Sequence, residues 1–345
     1  MTIPEITLTG TPRERGRHHG AAAHDLIGRA LRRWADHFSG PVDKAMLLDS
    51  LMDDTGLLEA AELHAPDLVE EVRGMAEGAN QPFAEMFCWQ LIDEGWWLAA
   101  EMADRAAPLE RCSALAVNHR NSGVVAQTQD LDRHFDGSQV FLRRVEEDGL
   151  QILSPSLAGL LALNGVNSAG LAVAVTTLSS LPHSVNGVSS GFLVPMLLRC
   201  RSIDDAVGLL HTLPISSGNS FLLGTRDRSV VVEVSADAIS IDEDARVLHT
   251  NHPLHLDPVR DYLRFTSSYD RLTQLERLVT AESTGDDLEA VYSTQPVCQS
   301  RSGPSAFVTI GTMIFELGDE QVCRFAAGPL DSDPLVDYQM DKEHT

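Results

Sequence analysis

The sequence predicts an α+β layered architecture, helices first and sheet afterwards, on three observations. From Thr11 to about Arg105 apolar residues recur at spacings of three and four. After Cys112 the chain turns to short β-branched and apolar segments divided by turn residues. Runs of helices and runs of strands, without strict alternation, favour α+β layers over a doubly wound parallel sheet.

The helical third carries its periodicity in Leu26, Ala30, Leu31 and Trp34, in Leu47, Leu48 and Leu51, and in Leu68, Val72 and Met75. Gly40-Pro41 and Asn80-Gln81-Pro82 read as helix ends, and Asp104 to Glu110, with Pro108, as an exposed linker. Beyond it, turns are expected at Asn118 to Gly123, Asp136-Gly137, Asp148-Gly149, Asn167 to Gly170 and Thr225 to Arg228, giving antiparallel sheet. Helices are expected around Val194 to Leu213, with Ser202 as an N-cap, and from Pro258 to about Leu278. Strands resume at Ala306 to Leu317 and Val322 to Ala326. No internal repeat or low-complexity tract is present in the sequence.

With 345 residues, 43% of them hydrophobic, the chain can bury a substantial core. No apolar run approaches the roughly 20 residues that span a bilayer, and Met1 to Gly10 lack the features of a signal peptide, so a cytoplasmic location is expected. Five scattered cysteines without a C-x-x-C pair argue against a disulfide framework or a cysteine-rich zinc module. The net charge of -24 is spread along the chain: residues 1–111 hold 10 Lys+Arg against 20 Asp+Glu, leaving 16 against 30. Nucleic acid, which needs Lys and Arg at its phosphates, is therefore not an expected partner. A polyanionic donor such as an acyl-coenzyme A is mildly disfavoured, and neutral or cationic substrates fit better.

Three polar residues stand where strands or their turns place them: Cys112 in Arg111-Cys112-Ser113-Ala114-Leu115, Asp130 in Gln127-Thr128-Gln129-Asp130, and Asn251 in His249-Thr250-Asn251-His252. Scission of the Arg111–Cys112 bond would give one residue a thiol nucleophile and an α-amine able to act as its base. A carboxylate can orient that amine, and an amide NH2 can donate to the oxyanion. Taken alone, a cysteine in an apolar strand is more often core packing.

Four segments add to this reading: residues 10–20 (Gly-Thr-Pro-Arg-Glu-Arg-Gly-Arg-His-His-Gly), residues 71–79 (Glu-Val-Arg-Gly-Met-Ala-Glu-Gly-Ala), Asn167-Ser168-Ala169-Gly170-Leu171-Ala172-Val173, and His249-Thr250-Asn251-His252. In this order they resemble landmarks of the acyl-coenzyme A:6-aminopenicillanic acid acyltransferase family, whose members are N-terminal nucleophile (Ntn) hydrolases that cut themselves before a cysteine. The resemblance implies a four-layer αββα sandwich. It also implies a smaller subunit of residues 1–111 and a larger one of 112–345, forming a heterodimer of cleavage fragments. By it the nucleophile falls on Cys112, the amine-orienting aspartate on Asp130 and the oxyanion-hole asparagine on Asn251, with Thr177 a further candidate near the oxyanion. The sequence departs from the family at Arg111, where penicillin-forming members have glycine. It departs again at Thr128, where relatives often have Asn or Arg close to the nucleophile, and in Trp89 to Glu94, which lacks an arginine common there.

Trp89, Trp96 and Trp97 are placed to wall an apolar acyl pocket, and Asp93 and Glu94 to hold a cationic amine; core packing and a solvated helix face are the plainer readings. His249, His252 and His255 recur every third residue, but Pro253 breaks the helix that such spacing needs as a metal site, so no metal is expected. His18, His19 and His24 read as structural. A papain-like pairing of Cys112 with His134 or His249 is a minor alternative without a local signature.

The sequence thus leads to a self-processing cysteine amidohydrolase acting on a small N-acyl amine or peptide-like amide, without cofactor. The first alternative is an N-acyltransferase using acyl-coenzyme A as co-substrate and an amine acceptor. The second is an uncleaved, non-catalytic binding relative.

Overall fold

The computed structural model describes residues 3–37, 42–104, 111–259, 267–303 and 305–341, with Arg111 described by its backbone. Strand β1 (Glu5–Leu8) precedes the helices α1 (Pro12–Ala22), α2 (His24–His37), α3 (Lys44–Asp53), α4 (Leu57–His64), α5 (Pro66–Ala79), α6 (Phe83–Trp89) and α7 (Ile92–Met102). Then come β2 (Arg111–His119), β3 (Ser122–Asp132), a single 3-10 turn (Arg133–Phe135), β4 (Gln139–Val145), β5 (Gln151–Leu157), β6 (Gly165–Asn167) and β7 (Ala172–Thr177). Helices α8 (Ser190–Leu197) and α9 (Ile203–Thr212) lead to β8 (Asn219–Gly224), β9 (Ser229–Val234), β10 (Ile239–Glu243) and β11 (Arg246–His249). The chain closes with α10 (Ser268–Leu278), α11 (Gly285–Tyr292), β12 (Phe307–Leu317), β13 (Gln321–Ala326) and β14 (Val336–Gln339).

The strands form an eight-stranded sheet, β1-β4-β5-β6-β7-β8-β9-β10, and a six-stranded sheet, β11-β2-β3-β12-β13-β14. Three buried clusters define the layers. One interleaves Ala114, Ala116, Val125 and Phe315 of the smaller sheet with Phe141, Val166, Ala174 and Leu222 of the larger, so the sheets pack face to face. A second joins the outer face of the larger sheet, through Val173, Phe221 and Val232, to α2–α9. The third joins the outer face of the smaller sheet, through Leu115, Val117 and Ala126, to α10 and α11. The fold is therefore an αββα sandwich.

Helices α1 and α5 cross at backbone contact. A Cβ at Gly16 would meet the Glu71 carbonyl oxygen at 1.9 Å, and one at Gly74 would meet that of Arg13 at 2.2 Å. The crossing is stapled by Glu71, fully buried, which accepts from Arg15 Nε at 3.2 Å and from Arg144 Nη1 at 2.7 Å. Two of the glycine-bearing landmarks in the sequence are the two sides of this crossing.

Several expectations shift. The first third is not purely helical: β1 pairs in parallel with β4, Glu5 opposite Phe141, and four alternating residues are too few to announce a strand. The helix expected over Val194 to Leu213 is two helices, with the Ser202 hydroxyl capping α9 by accepting from Asp205 N at 3.1 Å. The helix expected from Pro258 begins at Ser268; residues 260–266 lie outside the described residues, as do Gly40-Pro41 and linker residues 105–110. Helix α11 was not anticipated. Among the described residues no helix is long and apolar enough to cross a membrane.

Candidate active site

Register brings the site together. Strands β2 and β3 form a hairpin whose turn residues Arg120 and Asn121 are both left-handed (φ 48° and 61°), so Cys112 faces Gln129 and Arg111 faces Asp130. On the other side β11 runs antiparallel to β2, with Arg246 opposite Val117 and His249 opposite Ala114. Continuing that register by two residues carries Asn251 to the level of Cys112. There the Cys112 backbone N–H donates to Asn251 Oδ1 at 2.7 Å.

Alternation along the strands then decides which side chains share a wall. Ala114 and Ala116 point between the sheets, so Cys112 does too. It is 4% exposed and lines a cleft of about 580 Å³, part of it open to solvent, with Gln129, Leu131, Thr177, Asp93, Ile92 and others. Thr128 belongs to the opposite face, where it is fully buried beside Ser113, and its hydroxyl has no hydrogen-bond partner among the described residues. The expected position beside the nucleophile, and with it a substrate or oxyanion contact, therefore does not fall to Thr128; Gln129, one residue on, lines the cleft. Asp130 also lies on the face away from the Cys112 sulfur, opposite the backbone of Arg111; its Oδ1 accepts from Thr309 Oγ1 at 2.5 Å. Beside it, burial and the Asp130 charge push the Tyr292 phenol well above its ordinary value. The Tyr292 hydroxyl donates to the carbonyls of Ser113 and Ala126.

The amide of Asn251 is held in one orientation. Its Oδ1 accepts from two donors, Cys112 N and Arg271 Nη2, each at 2.7 Å, while its Nδ2 donates to the Thr177 carbonyl at 3.2 Å. A flipped amide would set NH2 against both donors. One hydrogen of Nδ2 is left over for an incoming oxygen. Arg271, on α10 and fully buried, also donates to Ser113 Oγ at 3.0 Å and to the Cys112 carbonyl. The same helix turns the loop: Ser268 Oγ accepts from Asn251 N at 2.8 Å and contacts His252 Nδ1 at 2.7 Å. Sequence reasoning missed Arg271 and Ser268, because nothing in the spacing of α10 distinguishes an inward arginine from a surface one.

Thr177 links this cluster to a second. Its hydroxyl donates to Asp93 Oδ1 at 3.3 Å, and Asp93 Oδ2 accepts from Ser190 Oγ and Asn219 Nδ2, both at 2.9 Å. Asp93 and Glu94 are buried rather than on a solvated face. Burial, then the neighbouring Asp93 charge, raises the Glu94 carboxyl to about 8 even though Ser217 Oγ donates to it at 2.6 Å. Trp96 and Trp97 line a smaller cleft that adjoins through Asp93 and Thr177. Trp97 Nε1 donates to Ser217 Oγ at 3.0 Å.

The three spaced histidines diverge. His249 Nε2 meets Glu233 Oε1 at 2.8 Å, His252 leans on Ser268 and Tyr269, and His255 lies 3.9 Å from Asp242. Burial pushes Glu233 up, but His249 and the N–H groups of Leu254 and Leu256 outweigh it and hold the carboxyl at about 2. Among the described residues the one trio spaced for a metal ion is His37, Asp132 and His134, which no sequence motif announced. Burial keeps His134 neutral, with its pKa lowered to about 3.

Compared with known proteins, residues 117–330 match the model of the family described as acyl-coenzyme A:6-aminopenicillanic acid acyl-transferase. The chain is 23% identical over 335 residues to the acyl-coenzyme A:6-aminopenicillanic-acid-acyltransferase 40 kDa form of Emericella nidulans, covering 90% of this chain and 89% of that protein. Among solved structures it resembles penicillin V acylase from Agrobacterium tumefaciens (TM-score 0.47, 15% identity, 67% of this chain and 86% of that one). It also resembles a single-residue variant of conjugated bile acid hydrolase from Clostridium perfringens (TM-score 0.44, 13% identity, 67% and 98%).

Proposed function

This chain belongs to the acyl-coenzyme A:6-aminopenicillanic acid acyltransferase family, and from that premise we propose that it is a self-processing cysteine amidohydrolase of small N-acyl amines. The observation that carries the reading is the Cys112 nitrogen held at 2.7 Å by Asn251 Oδ1, at the wall of the cleft between the sheets and the helices. Processing begins when Cys112 Sγ attacks the Arg111 carbonyl carbon; the bond to the Cys112 nitrogen breaks, and that nitrogen takes the thiol proton. Water then hydrolyses the thioester, leaving an Arg111 carboxylate and a Cys112 with both thiol and α-amine.

In turnover the α-amine accepts the thiol proton as Sγ attacks the substrate carbonyl, and the remaining Asn251 Nδ2 hydrogen donates to the oxyanion. Collapse breaks the C–N bond, and the Cys112 ammonium protonates the leaving amine. A thioester remains, which water hydrolyses with the amine as base. Asn251 Oδ1 keeps the nitrogen in place throughout, and Asp130, beside it across the hairpin, contributes negative charge that favours the ammonium. The cleft, largely apolar around Ile92, Leu131 and Leu160, suits an acyl group.

Intact mass measurement tests the proposal. Wild type should give two fragments corresponding to residues 1–111 and 112–345, and Cys112→Ala one unbroken chain. An active wild type that stays whole, or a Cys112→Ala protein that still hydrolyses amides, would overturn it. Acyl transfer is the second reading, favoured by the activity named for the Emericella nidulans relative. Release of coenzyme A thiol from an acyl-coenzyme A only when an amine is supplied would select it.

A further inference from the structure

The acyl cleft contains a buried carboxylate that the proposed chemistry does not use. Asp93 is 7% exposed and lines the same cleft as Cys112. Its three partners, Thr177, Ser190 and Asn219, are all neutral donors, and among the described residues no Lys, Arg or His pairs with it. His183, which lines the adjoining cleft, is directed to Glu101 at 3.0 Å and stacks on Trp97 at 4.0 Å. A carboxylate buried without a cation carries a large desolvation cost, which a cationic ligand would offset. The surroundings point the same way, since Trp96 and Trp97 share the adjoining cleft with Asp93 and indoles attract cations electrostatically. The route from the nucleophile is short: Cys112 bonds Asn251, Asn251 bonds the Thr177 carbonyl, and the Thr177 hydroxyl bonds Asp93.

We propose that Asp93 is the docking carboxylate for a protonated amine on the acyl portion of the substrate, so that the enzyme selects N-acyl compounds whose acyl chain ends in an ammonium group. The inference rests on the amidohydrolase reading, yet its binding arm can be decided without turnover. Thr177 has a double part, its carbonyl holding Asn251 and its hydroxyl holding Asp93, so the ammonium anchor and the oxyanion donor are set at a fixed separation. An acyl chain matching that separation delivers its carbonyl to Cys112.

Two measurements test it. Calorimetry on wild type compares an alkylammonium ion with the alkanol of equal length; the ammonium should bind about tenfold to a hundredfold more tightly, as expected of a charge-assisted contact. Asp93→Asn should abolish that preference. Hydrolysis of an ω-aminoacyl nitroanilide beside the alkanoyl nitroanilide of the same chain length should give a kcat/KM ratio that favours the amine in wild type and collapses toward one in Asp93→Asn. Equal binding of the two ligands by wild type overturns the proposal, as does a preference that survives Asp93→Asn. If Asp93→Asn does not fold, Asp93→Ser replaces it, and if neither folds the wild-type comparison alone decides. Selective ammonium binding without hydrolysis of any anilide would retain Asp93 as a cation site while rejecting the amidohydrolase reading.

Discussion

At the scale of single residues the site depends on one guanidinium. Arg271 is the planar group that can reach Asn251 Oδ1, the Cys112 carbonyl and Ser113 Oγ together, and it fixes the amide that the proposed mechanism needs facing the oxyanion. It is a positioning residue, acting through Asn251. In Arg271→Met, Oδ1 loses one of its two donors and the carbonyl of Cys112 loses a partner, so kcat should fall about a hundredfold with KM little changed. Arg271→Lys should not restore it, because an ammonium lacks the fork. Steady-state kinetics below both melting temperatures checks this, and a kcat within about twofold of wild type would remove Arg271 from the mechanism. Asn251 could be named from the sequence because it sits in a short segment that resembles a family landmark, and Cys112 and Asp130 as what that resemblance implies for the strands between the landmarks. Arg271 could not, since its importance comes from a helix folding back over β2, a tertiary fact with no local pattern. Thr128 and Gln129 illustrate the same limit more finely: the strand was legible, but which of two neighbours faces the cleft depends on the hairpin register.

At the scale of elements, the landmarks in the sequence turn out to be places where backbones meet. Gly16 and Gly20 of α1 press against α5, and Gly74 and Gly78 of α5 press back, which explains why these glycines stand at fixed intervals far from the nucleophile. The loop after β11 is another such element, and it carries Asn251. Glu233 on β9 gathers it by accepting from His249 and from the N–H groups of Leu254, His255 and Leu256. With its carboxyl held at about 2 against an ordinary 4.5, Glu233 favours the folded loop above pH 4.5, and that contribution disappears as the pH falls toward 2. The linkage amounts to about 3 kcal/mol. Glu233→Gln should therefore be less stable than wild type near neutrality, and the gap should shrink as acid is added across that window. Chemical denaturation at stepped pH reads it; a gap that stays constant would show that Glu233 is not the group coupling the loop to acid.

At the scale of the whole molecule, the proposed cut divides a core that neither piece can cover alone. Leu8, Ile27 and Trp89 lie before the cut, yet they share one buried cluster with Phe135, Val173 and Phe221 beyond it. Strand β1 is hydrogen-bonded to β4 along the edge of the larger sheet, and the Trp89 and Gln90 side chains bond the backbone of Ala158 and Gly159. Without the first piece, the larger sheet would lose most of the helical layer over its outer face and expose apolar surface far beyond what a soluble chain tolerates. The cleft is composite in the same sense, with Gln90, Ile92 and Asp93 from one piece and Cys112 and Thr177 from the other. Processed enzyme should therefore elute in gel filtration with the mass of the uncut 37.5 kDa chain while giving two bands under denaturing conditions. After separation in denaturant, residues 112–345 alone should retain the nucleophile but fail to refold into a soluble particle. Should the two pieces part under native conditions, with the larger still hydrolysing amides, neither the shared core nor a recognition site built across the cut could be essential to activity.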